Sequence, residues 1–282
     1  MKSLSSTSVS RRQAIRLGLG SVAAAGVVAL AGCTDTSNDS TASNSSSSDP
    51  STSTDSTAST QIDKDAFDSL LAAGDVADDA MVSGSTWAQK IKDAGKFRLG
   101  GVQTSTLFAS LDETDNKLRG FDAGLAQLLV RYILGDESKY EFTKVTSDTR
   151  ESVLQNDQVD AVFATYSITD KRKEVISFAG PYYSTQQGIL VLADNSDISS
   201  VDDLAGKTVA AQSGSTGPSI LAEYAPTATV QEFTTDEEAR TALEQGRVDA
   251  YVIDATMQMS SIVKNPGKYR LAGDSFGPED PY

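Results

Sequence analysis

Residues 154–163 read LQNDQVDAVF, and residues 243–252 read LEQGRVDAYV. Each stretch has the pattern of a helix end, a tight turn and a buried strand that begins at Val-Asp-Ala. A common helix-turn-strand unit that is used twice would give the same similarity between the two stretches. The similarity nevertheless supports two similar α/β lobes in one chain.

Strands alternate with helices on both sides of these two stretches. In the first half, the expected strands are 97–102, 140–145 and 160–165, and the expected helices are 121–133 and 147–155. In the second half, the expected strands are 188–192, 207–211, 229–233 and 248–253, with helices between them. This alternation predicts an α/β fold of two lobes, each a mostly parallel sheet flanked by helices. Ligands of such folds bind in the cleft, at the carboxyl ends of the strands.

Two of the expected helices begin with the spacing of a capping box. In this motif the first side chain accepts a hydrogen bond from a backbone N–H three residues later, and a Glu at that later position reaches back. Asp148 with Glu151 has this spacing in the first half, and Thr235 with Glu238 has it in the second. We expect both pairs to cap their helices.

The first 32 residues have the pattern of a secretory signal peptide. Four positive charges without an acid are accompanied by an apolar run at 17–31, which is shorter than the roughly 20 residues of a membrane span. The run ends Leu30-Ala31-Gly32-Cys33 and resembles a bacterial lipobox, so we expect Cys33 to carry lipid, palmitate included, as the first mature residue. The pair Arg11-Arg12 leaves the twin-arginine and the general secretory routes open.

A stretch rich in Ser, Thr, Asp and Asn follows Cys33 and has no apolar period, as expected of a disordered tether. A weakly helical region comes next, in which Ser85 is expected to cap a helix that Gly95 ends. The expected domains are a signal peptide (1–32), the lipidated Cys with its tether (33–60), a helical extension (61–95), lobe 1 (96–186), lobe 2 (187–275) and the start of a return crossing (276–282).

The composition excludes several kinds of chemistry. The chain has 282 residues, no His and one Cys. It therefore has no Ser-His-Asp triad, no Cys-His dyad, no His-bound zinc and no internal disulfide. The net charge is −15 and becomes −19 when residues 1–32 are removed. Such a charge argues against nucleic acid as a partner, because phosphate binding needs a basic patch.

Hydroxyl and charged side chains follow the expected strands on the cleft side. Arg can bind a planar carboxylate through two hydrogen bonds, and a carboxylate can hold an ammonium group. The Gly/Ser loop before Pro218 is suited to an anion because helix N–H groups converge there. Together these groups fit the head of an α-amino acid, and a second Arg fits a second carboxylate. The candidates are Ser147, Arg150, Thr165, Ser167, Arg172, Ser215, Thr216 and Asp254.

Several motifs occur in one order and spacing over residues 96–282. They are Gly120-Phe121-Asp122, Val159-Asp160-Ala161 through Thr169, Arg172, Phe178 to Tyr183, Gly214-Ser215-Thr216 and Val248-Asp249-Ala250 through Asp254. In these motifs the chain resembles the extracellular solute-binding proteins of polar amino acid ABC importers, solute-binding protein family 3. It is most similar to the glutamate-binding members. The resemblance implies the two-lobed periplasmic-binding-protein-like fold, with the ligand in the cleft.

The resemblance also implies how the ligand head is held. Arg172 would bind the α-carboxylate, assisted by the helix start at 214–216, which contains Ser215 and Thr216. Asp254, Thr165 and Ser167 would bind the α-ammonium group or its neighbours.

The remaining roles concern the ligand side chain and the framework. Arg150 would meet a side-chain carboxylate, with Ser147 near it. The motif Gly120-Phe121-Asp122 is a structural signature at a helix start. The loop at 103–108 lacks the aromatic and Pro pattern with which many relatives stack the ligand, and Phe108 is expected to substitute.

The function implied by the resemblance is that of a lipid-anchored, extracytoplasmic binding component of an ABC transporter. It would bind an acidic or polar amino acid, best glutamate, with aspartate, glutamine and asparagine left open, and deliver it to a membrane permease. We expect a monomer without enzyme activity, metal, cofactor or nucleic acid. Because family members continue past a second crossing, the chain looks truncated at Tyr282, with lobe 1 unfinished. A sensor and a dehydratase-like enzyme of the same fold, acting on a small carboxylate, stay as alternatives.

Overall fold

The computed structural model describes residues 62–282, so the expected signal peptide, Cys33 and the tether lie outside the described part. Its helices are α1 (Lys64–Ala72), α2 (Asp79–Ser83), α3 (Thr86–Ala94), α4 (Phe121–Leu134), α5 (Arg150–Gln155), α6 (Asp170–Lys173), α7 (Gly217–Tyr224), α8 (Asp236–Glu244) and α9 (Ala255–Lys264). Its strands are β1 (Phe97–Gly101), β2 (Thr104–Ser105), β3 (Ala109–Asp112), β4 (Lys117–Arg119), β5 (Tyr140–Lys144), β6 (Ala161–Phe163), β7 (Ser184–Leu192), β8 (Thr208–Gln212), β9 (Thr229–Phe233), β10 (Ala250–Asp254), β11 (Tyr269–Leu271) and β12 (Phe276–Pro281). Within 62–282 no helix is long and apolar enough to cross a bilayer.

The first lobe is built on a parallel sheet in the order β5-β1-β6. Leu99 of the central strand pairs with Phe142 on one side and with Ala161 on the other. Leu99 is buried and packs in one cluster with Ile91 of α3 and Val130 of α4. Because the strands are parallel, their carboxyl ends lie along one edge of the sheet, where polar loops can gather around a ligand.

The helical extension packs on the first lobe through α1. The ring of Phe67 lies close to Gly124 of α4, where a Cβ would come within 3.2 Å of it, so a glycine allows the two helices to approach. Arg119 is buried between Asp68 of α1, at 3.0 Å, and Asp115, at 2.8 Å. The extension is therefore fastened to the lobe by packing and by a charge network.

The helix starts and stops agree with the sequence in three of four places. Ser85 accepts a hydrogen bond from the N–H of Ala88, and Gly95 ends α3 in the left-handed conformation. The capping box of Thr235 with Glu238 is present at the start of α8. All three assignments are confirmed.

The fourth assignment, the capping box of Asp148 with Glu151, is wrong. Helix α5 begins at Arg150, so its N-cap position is Thr149 and not Asp148. No side chain makes a capping hydrogen bond there. Asp148 instead accepts a hydrogen bond from Ser213 of the second lobe. A contact between lobes has therefore replaced the local cap that the spacing suggested.

The small antiparallel sheet β2-β3-β4 was not expected from the sequence. Its strands have two to four residues each, which is too short to show a hydrophobic period. It connects β1 to α4 and lies beside the cleft.

The second lobe has a mixed sheet in the order β11-β7-β10-β8-β9, with β12 also paired to β7. The strands β8, β9 and β10 are parallel to one another, as predicted, whereas β7 runs antiparallel to β10, β11 and β12. Val191, Val209 and Val252 are buried on one face of this sheet, and Leu190 and Tyr251 are buried on the other. The predicted two-lobed α/β fold is confirmed.

Two neighbouring strands cross between the lobes. β7 begins at Ser184, directly after the first lobe, and β12 returns beside it, with Asp280 opposite Thr185. Rings from both lobes pack at this crossing, and Tyr183 stacks on Tyr282 with ring centres 5.5 Å apart. Phe108 also belongs to this cluster, 5.5 Å from Tyr183.

Candidate functional site

A cavity of about 90 Å³ lies between the two lobes. The first lobe lines it with Ser147, Arg150 and Thr165, and the second lobe contributes Asp236 and Met257. The polar groups come from the loops after strands and from helix starts, which is where open α/β folds bind their ligands.

The two lobes are also in direct contact. The Nη2 of Arg172, in the first lobe, donates to the carbonyl oxygen of Gly214 in the second lobe at 2.8 Å. Gly214 has φ +71°, and a Cβ at this position would lie 2.8 Å from the backbone nitrogen of Asp148. A glycine thus allows the backbones of two lobes to come together, in line with its freedom from a Cβ.

Arg150 is the most buried cation of the cavity, with 3% of its surface exposed. Its Nη1 donates to the carbonyl oxygens of Ala164 at 2.8 Å and Thr165 at 3.3 Å, while its buried Nε has no partner. No carboxylate of residues 62–282 forms an ion pair with it. Burial, and next the charge of Arg172, lower its pKa to about 10, so it remains a cation at neutral pH. A buried cation without an anion favours an anionic ligand group.

Arg172 is the second cation and lies in the short helix α6, which follows β6 after a loop. Its Nη1 donates to the carbonyl oxygen of Ser167 at 2.8 Å, and within the described part it has no ion pair. Burial lowers its pKa. Both arginines pack on the ring of Tyr166, whose centre lies 3.9 Å from the guanidinium carbon of Arg150 and 4.6 Å from that of Arg172.

Thr165 is held in an unusual backbone conformation at the end of β6. Its φ is +44°, a region that costs a residue with a Cβ energy. Its N–H donates to Asp122 at 2.7 Å, and Asp122 also accepts from the hydroxyl of Tyr182 at 3.0 Å. Burial raises the pKa of Asp122 to about 6, although both hydrogen bonds oppose the shift. The carboxylate of Gly120-Phe121-Asp122 therefore fixes the strand end that carries Thr165.

Asp254 lies at the end of β10 and is buried, but its side chain does not cap the helix that follows. It accepts a hydrogen bond from Nε2 of Gln187 at 2.8 Å, and the same nitrogen reaches Asp280 at 3.4 Å. Burial, and next the charge of Asp280, raise the pKa of Asp254 to about 7. This carboxylate is thus suited to hold a proton or a cation.

The loop at 214–216 directs its hydroxyls to protein groups. Ser215 donates to the carbonyl oxygen of Gln212 at 2.6 Å and accepts from the N–H of Gly217 at 3.2 Å. Thr216 donates to Asp280 at 2.6 Å. The anion cradle that the sequence suggested is therefore occupied, on its side-chain face, by bonds within the second lobe and to the return strand.

The eight predicted residues thus do not all lie in one place. Ser147, Arg150 and Thr165 line the cavity. Arg172 does not line it but bonds across to the second lobe, and Ser167 is buried with its carbonyl oxygen on Arg172. Asp254 and Thr216 belong to the buried carboxylate group on β7, β10 and β12, and Ser215 shapes the loop. The expectation for Phe108 is wrong, because its ring is buried among Phe121, Tyr183 and Tyr282 and does not line the cavity.

Sequence reasoning missed four residues of the site. Tyr166 stands between two candidates and could have been found from its place at the strand end. Asp236 follows Thr235 at a predicted helix start and was not among the candidates. Gln187 and Asp280 lie within the crossing strands β7 and β12 and carry no local signal.

The fold and the polar cleft define a two-lobed binding protein for a small charged molecule. Residues 98–245 match the bacterial extracellular solute-binding proteins, family 3, and the chain belongs to this family. It is an amino-acid-binding protein of the ABC transporter kind, and members of the family act outside the cytoplasm.

Three relatives show the range of this likeness. The chain is 38% identical over 193 residues to the ABC transporter glutamine-binding protein GlnH of Bacillus subtilis, covering 68% of this chain and 70% of that one. It is 34% identical over 166 residues to the glutamate-binding protein GluB of Corynebacterium efficiens, covering 57% and 56%. The crystal structure of a cysteine-binding protein from Campylobacter jejuni matches with a TM-score of 0.64 at 28% identity, covering 69% of this chain and 77% of that one.

Proposed function

We propose that this protein binds glutamate in the cavity between its lobes and delivers it to the permease of an ABC importer. The observation that carries the proposal is the pair Arg150 and Arg172, two cations on one ring without a carboxylate partner in residues 62–282. Removing charges from water is costly, so each cation needs an anion once the cleft is closed. Glutamate brings two carboxylates.

The ligand would lie with its side chain toward Arg150 and its head toward Arg172. Arg150 and Ser147 both line the cavity, so they would hold the side-chain carboxylate. Arg172 would bind the α-carboxylate by exchanging one of its present carbonyl partners for it. Asp254, with Thr165 and Ser167 near the strand end, would hold the α-ammonium group. No bond is made or broken in this function.

Glutamine is the second candidate, because of one specific acceptor. Asp236 lines the same cavity, is 9% exposed, and its Oδ1 has no hydrogen-bond partner. The other oxygen of Asp236 pairs with Arg240. A side-chain amide could accept from Arg150 and donate to the free Oδ1 of Asp236, whereas a carboxylate has no hydrogen to donate to it. The similarity to GlnH of Bacillus subtilis supports this candidate as well.

The N-terminal sequence supports a location for this binding at the outer face of the cell membrane. A lipid on Cys33 would anchor the protein to the outer face of the cell membrane, and the tether would let the monomeric binding unit reach the permease. Mass spectrometry of the mature protein would test the anchor, since a Cys33→Ser variant would lose the lipid mass and leave the membrane fraction.

A thermal-shift screen of all twenty amino acids with the purified protein tests the ligand. A ligand that binds only the folded state raises Tm by mass action. We expect the largest rise with glutamate. A larger rise with glutamine would select the second candidate, and no rise with any amino acid would overturn the proposed function.

A further inference from the structure

Three neighbouring strands bring two buried carboxylates to one glutamine. Gln187 lies on the middle strand β7, its partner in the ladder with β10 is Asp254, and Asp280 lies on β12 at the other side. The Nε2 of Gln187 donates to Asp254 at 2.8 Å and lies 3.4 Å from Asp280. Thr216 supplies a further hydrogen bond to Asp280, at 2.6 Å.

The cluster of Gln187, Asp254 and Asp280 has more hydrogen-bond acceptors than donors. Asp254 and Asp280 are each 5% exposed, Gln187 is 0% exposed, and neither carboxylate forms an ion pair with a cation of the described chain. The Oε1 of Gln187 is buried and has no hydrogen-bond partner. Two carboxylates and an orphan acceptor thus share few donors, and a buried acceptor of this kind needs a proton or a cation.

An ammonium group matches what is missing. It carries one positive charge and three N–H donors, and the group offers three acceptors in Asp254, Asp280 and the free oxygen of Gln187. We propose that Asp280 is a ligand-binding residue, and that it forms with Asp254 and Gln187 a site that holds either one proton or the ammonium group of the ligand. When the ammonium group enters, the proton leaves to the solvent. This inference rests on the proposed function, because the ammonium group is that of the amino acid.

The surrounding charges agree with a single exchangeable proton on Asp254. Its pKa is raised to about 7 by burial and by the charge of Asp280, while Gln187 and, from α5 and α6, Arg150 and Arg172 oppose the rise. Tyr251 on β10 and Tyr282 after β12 have pKa values raised by burial, so they stay neutral in this range. Below pH 7 the proton therefore competes with the ligand, and Kd should rise up to tenfold for each unit of falling pH.

Calorimetry counts this proton directly. Glutamate is titrated into the full protein at pH 6 in phosphate and in a second buffer of different ionisation enthalpy, and the difference in heat gives the protons released. We expect close to one proton released at pH 6 and few at pH 8. Glutamine, which has the same ammonium group, should give the same count.

Asp280→Asn is the variant that decides, since Asn keeps the shape and can still accept from Thr216. We expect its proton release at pH 6 to fall toward zero and its affinity at pH 8 to fall about tenfold. Glu279→Gln is the matched control, because it removes the same charge from the exposed neighbouring position and should behave as the wild type. An Asp280→Asn protein with wild-type affinity and wild-type proton release would overturn the inference and leave the proposed function intact. A wild-type protein that binds no amino acid would overturn both.

Discussion

Arg150 and Arg172 pack on the same aromatic ring, with their guanidinium carbons 3.9 Å and 4.6 Å from the centre of Tyr166. Two like charges this close repel each other, and Arg172 contributes to the lowered pKa of Arg150. The negative face of the ring offsets part of this repulsion. The hydroxyl of Tyr166 points to Glu151, at 3.3 Å. The ring therefore acts as the support that holds both cations in position for anions.

Replacing Tyr166 by Leu should weaken glutamate binding by about 10- to 100-fold, because each lost cation–π contact is worth about 0.5–2 kcal/mol. Tyr166→Phe keeps the ring and loses only the bond to Glu151, so its affinity should stay within a few-fold of the wild type. Calorimetric titration of the two variants checks this. Equal affinities of the Leu and Phe variants would show that the ring does not support the arginines.

Arg172→Ala should lower glutamate affinity at least 100-fold, because the variant loses both the anion partner and the bond to Gly214 across the cleft. Lys171→Ala is the matched control, since it removes the same charge from an exposed neighbour. Titration of both by calorimetry is the measurement. Unchanged affinity in Arg172→Ala would remove this residue from the site.

Gly214→Ala should lower affinity at least tenfold, because the new Cβ would lie 2.8 Å from the backbone nitrogen of Asp148 and hold the lobes apart. Gly206→Ala is its matched control, with the same φ of +71° but open space around the new Cβ. Both variants should lose similar stability in urea unfolding, about 1–2 kcal/mol from backbone strain. The account is contradicted if both variants also bind glutamate equally well.

The stability of the protein should fall as pH rises from 4 to 6, in part through Asp122. Its pKa is about 6 in the folded state against an ordinary value of 3.8, so between these values the folded state binds more protons than the unfolded state. The stabilisation is therefore complete below pH 4 and is lost above pH 6, and it amounts to about 3 kcal/mol for a shift of this size.

Asp122→Asn should remove this part of the pH dependence. The measurement is the free energy of unfolding in urea at pH 4, 6 and 8 for the wild type, for Asp122→Asn and for Asp93→Asn, which changes an exposed acid of the helical extension. A wild-type slope in Asp122→Asn would show that this carboxyl is not the group that titrates.

Much of the fold could be predicted from the sequence because its signals are local. The repeated helix-turn-strand stretch and the capping box of Thr235 with Glu238 act within a few residues, and the structure contains them. The capping box at Asp148 failed because Ser213, 65 positions away in the chain, competes for the same carboxylate. Local spacing contains no information about such a partner.

The site residues, too, could be predicted only where the signal is local. Arg150 and Arg172 follow strands and could be found from strand order, whereas Gln187 and Asp280 reach the site only because two crossing strands pair with each other and with β10. The mixed pairing of β7 has no periodic signature in the sequence, so the residues that depend on it could not be named in advance.

The most direct test of the account is the affinity of Arg150→Gln for glutamate and for glutamine, measured by calorimetry at pH 8 beside the wild type. If Arg150 holds the side-chain carboxylate, glutamate affinity should fall at least 100-fold while glutamine affinity falls less than tenfold, with little change in Tm. An equal loss for both amino acids, or an unchanged affinity for glutamate, would contradict the central claim that this buried arginine selects an acidic ligand.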